Sequence, residues 1–282
     1  KFKIAHTTEY KYSNNVFFEP HYFRFKPKQT VFSSIIDYDI QVEPEPIGFT
    51  EQIDIENNHI RLSWFQDTHD EMKITVNTIL EVSEYNPLNF ILHPKEFLQI
   101  PFTYDDNTQL LLEPALKTEA LPDNMVKYLE AILQKTSNQS INFLIELNAS
   151  IYNDFTAEFR ETGEPLEINF TFDEKRGSCR DLSWMHIHML RHLGVAARFV
   201  SGYLYLESDD DNPIFELHAW VEVYLPGAGW IGFDPTHGLV TSCYHIPLAS
   251  SSFYENTMPV SGSIRGDATS ILINDLDISI IT

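Results

Sequence analysis

The 282-residue sequence predicts an α+β fold, and three changes of pattern along it point to that class. The first third alternates apolar and polar residues in short runs, the middle carries apolar residues at helical spacing, and the last third alternates again. Residues 1–95 hold runs such as Phe2-Lys3-Ile4-Ala5-His6 and Ile74-Thr75-Val76-Asn77-Thr78-Ile79-Leu80-Glu81-Val82, rich in side chains that fit a pleated surface. Turn formers at Ser13-Asn14-Asn15, Pro44 to Gly48 and Asn57-Asn58 cut these runs to strand length. Several such strands in succession predict an N-terminal antiparallel β-sandwich. From Asn86 to Pro122 the chain holds five prolines. Residues 96–122 accordingly read as a linker or docking segment.

A second domain is assigned to residues 123–282. Helices are predicted from Met125 to Leu133 and from Ile141 to Phe159, the latter with Phe143, Leu144, Leu147, Ile151 and Phe155 on one face. Another begins at Cys179, and strands follow at about 196–206, 215–225 and 229–234. Alternating Ile271, Ile273, Leu276, Ile278 and Ile280 predict one or two strands in a β-rich tail.

Composition narrows the function. Lys and Arg number 19 against 41 Asp and Glu, a net charge of −22. Such a surface repels phosphate backbones and anionic lipid, which argues against nucleic acid and membrane partners. It suits a cationic peptide, although acidity also serves solubility alone. No run is long and apolar enough to span a bilayer. Lys3, His6 and Glu9 interrupt the N-terminal run and leave no signal-peptide pattern, so the cytoplasm is the expected location, with processing ahead of Lys1 left open. Cys179 and Cys243 are too few for a disulfide framework or a structural zinc site.

Ser178 and Asp181 fit a capping-box variant that starts a helix at Cys179, and Gly194 is placed to end it. Leu182, Met185, Met189, Leu190 and Leu193 supply its apolar face. At the first helical position a thiolate meets free backbone N–H groups and the positive end of the helix dipole. Those N–H groups also suit an oxyanion. A buried, inert cysteine is the alternative, and it describes Cys243 better.

In Phe215 to Tyr224 the odd positions are apolar, so His218 shares the other face with Trp220. A histidine there is usually solvent-facing, but a neighbouring Trp implies a cover. Leu225 to Gly229 form an odd-numbered loop before Trp230. If Tyr224 then stands opposite Trp230, His218 and Asp234 become same-face diagonal neighbours within hydrogen-bonding reach. Taken singly, Asp234 before Pro235 also fits a turn start. Cys179, His218 and Asp234 are thus candidates for nucleophile, base and orienting carboxylate.

The blocks Lys175 to Asp181, Gly194 to Tyr203, His218 to Val223 and Gly229 to Thr236 resemble, in order, the motifs of the transglutaminase-like superfamily. The first third is similar to the N-terminal region of bacterial members, many of them described as cysteine proteases. The resemblance implies a papain-like core, a catalytic helix bearing Cys179 packed on an antiparallel sheet bearing His218 and Asp234. No cofactor and no metal are expected. After Asp234 the chain resembles the family again at His245 to Ala249 and then diverges through Asn256, which bears on substrate preference. Hydrolysis of amide or peptide bonds in a protein or peptide substrate is the leading expectation. Acyl transfer from glutamine to an amine is the second, and a non-catalytic binding or assembly role the third. His186, His188 and His192 lack the spacing of a metal pair on one helix face. The run Glu207 to Asn212 lacks the Gly and closing Glu of an EF-hand loop and reads as a solvated acidic turn rather than a calcium site.

Overall fold

A computed structural model describes residues 1–207 and 213–281; the acidic run is therefore outside the described residues from Ser208 to Asn212. Six strands come first: β1 (Phe2–Phe18), β2 (His21–Phe23), β3 (Ser33–Glu43), β4 (Gly48–Ile53), β5 (His59–Trp64) and β6 (Thr68–Val82). Every second residue of β6 from Met72 to Leu80 is buried, as the alternation requires. β1 pairs antiparallel with β6 and β6 with β3, while β2, β5 and β4 build a second antiparallel sheet. Val16, Phe18, Phe23, Phe25, Met72 and Ile74 pack together in one core, giving the predicted sandwich.

Next come α1 (Asp106–Leu116), α2 (Asp123–Lys135), α3 (Ser140–Asp154), β7 (Thr156–Ala157), α4 (Ile168–Glu174), β8 (Arg176–Gly177) and α5 (Cys179–His192). Of the two readings of segment 96–122, its packing is that of a docking segment rather than a free linker. Phe97, Ile100, Phe102, Tyr104, Leu112 and Leu121 are buried in the same core as α2, α3 and α5. Tyr104 Oη accepts the Ala196 N–H at 3.0 Å and donates to the Tyr224 carbonyl at 2.8 Å, which bolts the segment to the second domain. α1 escapes the proline pattern because Asp105 caps its start through Oδ1 and Pro114 falls in its last turn.

Strands β9 (Ala197–Leu206), β10 (Ile214–Leu225), β11 (Gly229–Asp234), β12 (Leu239–Val240) and β13 (His245–Ser251) form an antiparallel sheet in the order β12-β11-β10-β9-β13. Leu182, Met185 and Met189 of α5 share a core with Ala219, Val221 and Val223 of β10.

The tail corrects the predicted boundary. β14 (Val260–Ser261) pairs with β2, and β15 (Ile264–Arg265) and β16 (Ser270–Ile280) pair with β1, for example Ile4 opposite Ile278. The alternating Ile and Leu residues thus complete the first sheet rather than the second domain. That sheet docks on the second: Phe2, Ile4, Leu80 and Ile278 pack against Tyr203, Ile246 and Leu248.

Candidate active site

A buried carboxylate holds the start of α5. Asp181 Oδ2 accepts from Ser178 N–H and Oγ–H, each at 2.7 Å, and Oδ1 accepts from Leu166 N–H at 2.7 Å and Arg160 Nη1 at 3.0 Å. Gly177 permits that approach, since a Cβ there would stand 2.7 Å from Asp181 Cβ. Cys179 is consequently the first helical residue, half-buried, its thiol free. The N–H groups of this first turn have no intrahelical acceptor. Ser183 Oγ donates to the Ala219 carbonyl at 3.2 Å and ties the helix to β10 beside His218.

β10 and β11 pair with Tyr224 opposite Trp230 and Val221 opposite Phe233, the register predicted from the odd loop. Asp234 is thereby diagonal to His218, and His218 Nε2 lies 2.9 Å from Asp234 Oδ2 with both side chains fully buried. The two readings of Asp234 are both present, one on each oxygen. Oδ1 accepts from Thr236 N–H at 2.9 Å and His237 N–H at 3.3 Å, as a turn-starting Asp does. The cover implied by Trp220 is also present. Trp220 is buried, its ring lying 6.4 Å from that of His218. Gly202 leaves it room, since a Cβ there would lie 2.6 Å from that indole.

Two further partners of Asp234 were not singled out in the sequence. His237 Nδ1 lies 3.0 Å and His245 Nε2 3.2 Å from the same Oδ2. His237 sits three residues past Asp234 in the turn, a spacing that could have found it. His245 arrives through the pairing of β13 with β9, and no local pattern announces that. Ser242 N–H donates to His245 Nδ1 at 3.4 Å, so Nε2 carries the proton that points at Asp234.

These contacts set the charge states. Burial opposes charge on His218, but the Asp234 carboxylate and hydrogen bonding to Asp234, Cys179 and Glu216 raise its pKa well above 6.5. Burial likewise opposes charge on Asp234, and the His218 charge with bonds from His218, His237 and His245 holds it well below the usual carboxylate range. Burial lowers His245, which stays neutral. His218 Nδ1 faces away from Asp234 with Glu216 Oε1 2.9 Å off, out of line for a good hydrogen bond. A thiol at a helix start beside a buried imidazolium–carboxylate pair is equipped to attack a carbonyl carbon and protonate the group that leaves.

Cys243 stands apart, in the wall of a cavity of about 340 Å³ also lined by Phe32, Tyr85 and Trp230. Burial pushes its thiol pKa up. His186 and His188 are buried in α5 and belong to no ligand cluster among the described residues.

Residues 2–81 match the family model of the bacterial transglutaminase-like N-terminal region, and residues 129–235 that of the transglutaminase-like superfamily. An uncharacterized Mycobacterium tuberculosis protein is 25% identical over 97% of this chain and 90% of its own length. A Pseudomonas aeruginosa protein-glutamine gamma-glutamyltransferase is 27% identical over 50% of this chain and 20% of its own length. Among solved structures, a candidate cysteine protease from Cytophaga hutchinsonii superimposes with a TM-score of 0.71 at 21% identity, covering 99% of this chain and 89% of that one. That likeness establishes the fold.

Proposed function

We propose that this chain, which belongs to the transglutaminase-like superfamily of cysteine enzymes, hydrolyses amide or peptide bonds with Cys179, His218 and Asp234 as its catalytic residues. The observation that carries this reading is the buried His218–Asp234 pair, bonded at 2.9 Å, on the strand that Ser183 ties to the helix begun by Cys179. Cys179 as thiolate adds to the carbonyl carbon, and the developing oxyanion takes N–H donors of the α5 first turn. His218, as imidazolium, gives its proton to the departing amine nitrogen while the C–N bond breaks and a thioester remains on Cys179. Water then adds to the thioester carbonyl, losing a proton to neutral His218. The C–S bond breaks, and thiolate, imidazolium and a carboxylic acid result. Asp234 stays ionised throughout and holds the ring.

An amine can replace water in the second half with the same residues, giving transamidation. The similarity to a protein-glutamine gamma-glutamyltransferase favours this second reading. Iodoacetamide alkylation of Cys179 across pH, in wild type and His218→Ala, tests the nucleophile. Fast alkylation at acidic pH that depends on His218 is expected, whereas an ordinary thiol profile in both would leave a non-catalytic homologue. Product analysis of a glutamine-containing peptide, with and without a primary amine, then separates carboxylate from amide product.

A further inference from the structure

We propose that Glu216, His218 and His237 bind a divalent transition-metal ion of the zinc class, and that its occupancy silences the site. The binding stands on geometry alone; the silencing rests on the function proposed above. One ligand atom from each of the three residues lies within 4.8 Å of the others. Zinc holds N and O ligands at about 2.0–2.2 Å, so donors of one tetrahedral ion stand roughly 3.5 Å apart. Matching that spacing means opening the 2.9 Å Glu216 Oε1–His218 Nδ1 approach and moving Glu216 and His237, whose side chains are 37% and 25% exposed, around a His218 that is fully enclosed.

The hydrogen bonding prepares both imidazoles. Asp234 Oδ2 accepts a hydrogen bond from His218 Nε2 and another from His237 Nδ1. The opposite nitrogens, His218 Nδ1 and His237 Nε2, are left as the lone pairs each ring can offer. One carboxylate orienting ligand histidines from behind is how metal-binding imidazoles are usually held. His218 Nδ1 is buried without a well-placed hydrogen-bond partner, although Glu216 Oε1 is 2.9 Å away. An ion between them would satisfy both atoms. Two imidazoles and a carboxylate favour zinc over calcium or magnesium, which take oxygen ligands.

Binding would occupy the nitrogen that must carry the proton for the leaving amine. The imidazolium cannot then form, and the Cys179 thiol loses its charged partner. The ion is therefore an inhibitor here rather than a cofactor, and its uptake releases protons.

Calorimetric titration of the metal-stripped full chain with zinc chloride tests this directly, with calcium as competitor. Protection of Cys179 from iodoacetamide gives a second readout. The expected result is one zinc per chain, unaffected by calcium, with affinity lowered at least about tenfold in Glu216→Gln and in His237→Gln. Glu216 is partly exposed, so its variant tests the site without burdening the fold. Absence of saturable binding would overturn the proposal, as would binding that ignores both substitutions. Calorimetry needs no turnover: zinc bound through Glu216 and His237 beside an inert Cys179 would retain the site and discard the catalytic reading.

Discussion

Asp234→Asn is the most informative single change, because the carboxylate serves five donors at once. Its oxygens accept from His218, His237 and His245 side chains and from the Thr236 and His237 backbone. Asparagine has one oxygen to accept with and an NH₂ that donates. Whichever way the amide turns, donors face a donor. At least two buried N–H groups lose their partner, at about 1–3 kcal/mol each, so unfolding free energy should fall by roughly 2–6 kcal/mol. The charge that keeps His218 protonated is lost as well. A thiol without an imidazolium partner, at the ordinary pKa of ~8.5, is about 1 part in 300 ionised at pH 6. A thiolate of low pKa is also the weaker nucleophile, which offsets part of that factor. The net expectation is about a 10- to 100-fold slower alkylation of Cys179 at pH 6 in the variant. Stopped alkylation assays and urea unfolding read the two effects separately. Wild-type alkylation at pH 6 together with an unchanged unfolding midpoint would refute the role of an ionised Asp234 in holding His218 protonated.

Acid should weaken the fold through buried neutral histidines. Burial lowers His6 to about 4 and His186 to about 3, so their contribution is complete above the unfolded value of 6.5 and lost as pH falls toward those folded values, at about 1.4 kcal/mol per pH unit for each. His218, raised, runs the opposite way: its contribution is full below 6.5 and lost as pH climbs through its folded value. His186 makes no hydrogen bond through either ring nitrogen, so His186→Leu should hold or raise stability at pH 7 and remove its share of the acid slope in urea titrations. Asn58→Ala should cost about 2–4 kcal/mol, because the Ser250 N–H and carbonyl lose their Asn58 partners. An unfolding midpoint like that of wild type would show these bonds to be idle.

What the sequence disclosed depended on how local its cause was. The start of α5 was legible because Ser178, Asp181 and Gly194 are short-range signals, and the 225–229 loop carried enough geometry to set His218 and Asp234 on one face. Arg160 was not legible as the partner of Asp181, since nothing within one helical turn connects them. The same holds for His245, whose position depends on β13 lying beside β9, and for β16, whose Ile and Leu alternation says strand without saying which sheet. In the proline-rich segment the sequence left linker and docking open. Pro94 and Pro101 do break regular structure, yet Phe97, Ile100 and Phe102 between and beside them are core residues. Proline density marked irregular backbone and said nothing about burial.

The sandwich and the candidate site are joined by a traceable path. Lys28 donates from its backbone N–H to Pro247 at 2.8 Å and from Nζ to Ser250 Oγ at 2.8 Å. Asn58 Oδ1 accepts the Ser250 N–H at 2.8 Å and its Nδ2 donates to the Ser250 carbonyl at 3.0 Å. All of these groups grip β13, and β13 begins with His245, whose Nε2 reaches Asp234. Burial pulls the Lys28 ammonium down to about 8, which an exposed lysine used only for solubility would not tolerate. Two sandwich residues thus reach the carboxylate through one strand and one imidazole. Loosening the grip at Asn58 frees β13 to move relative to β9, and the first hydrogen bond at risk is the longest of the three on Asp234 Oδ2, that of His245 at 3.2 Å. His218 would then share its acceptor with His237 alone. The sandwich therefore does more than accompany the second domain: through β13 it helps hold His245 against Asp234.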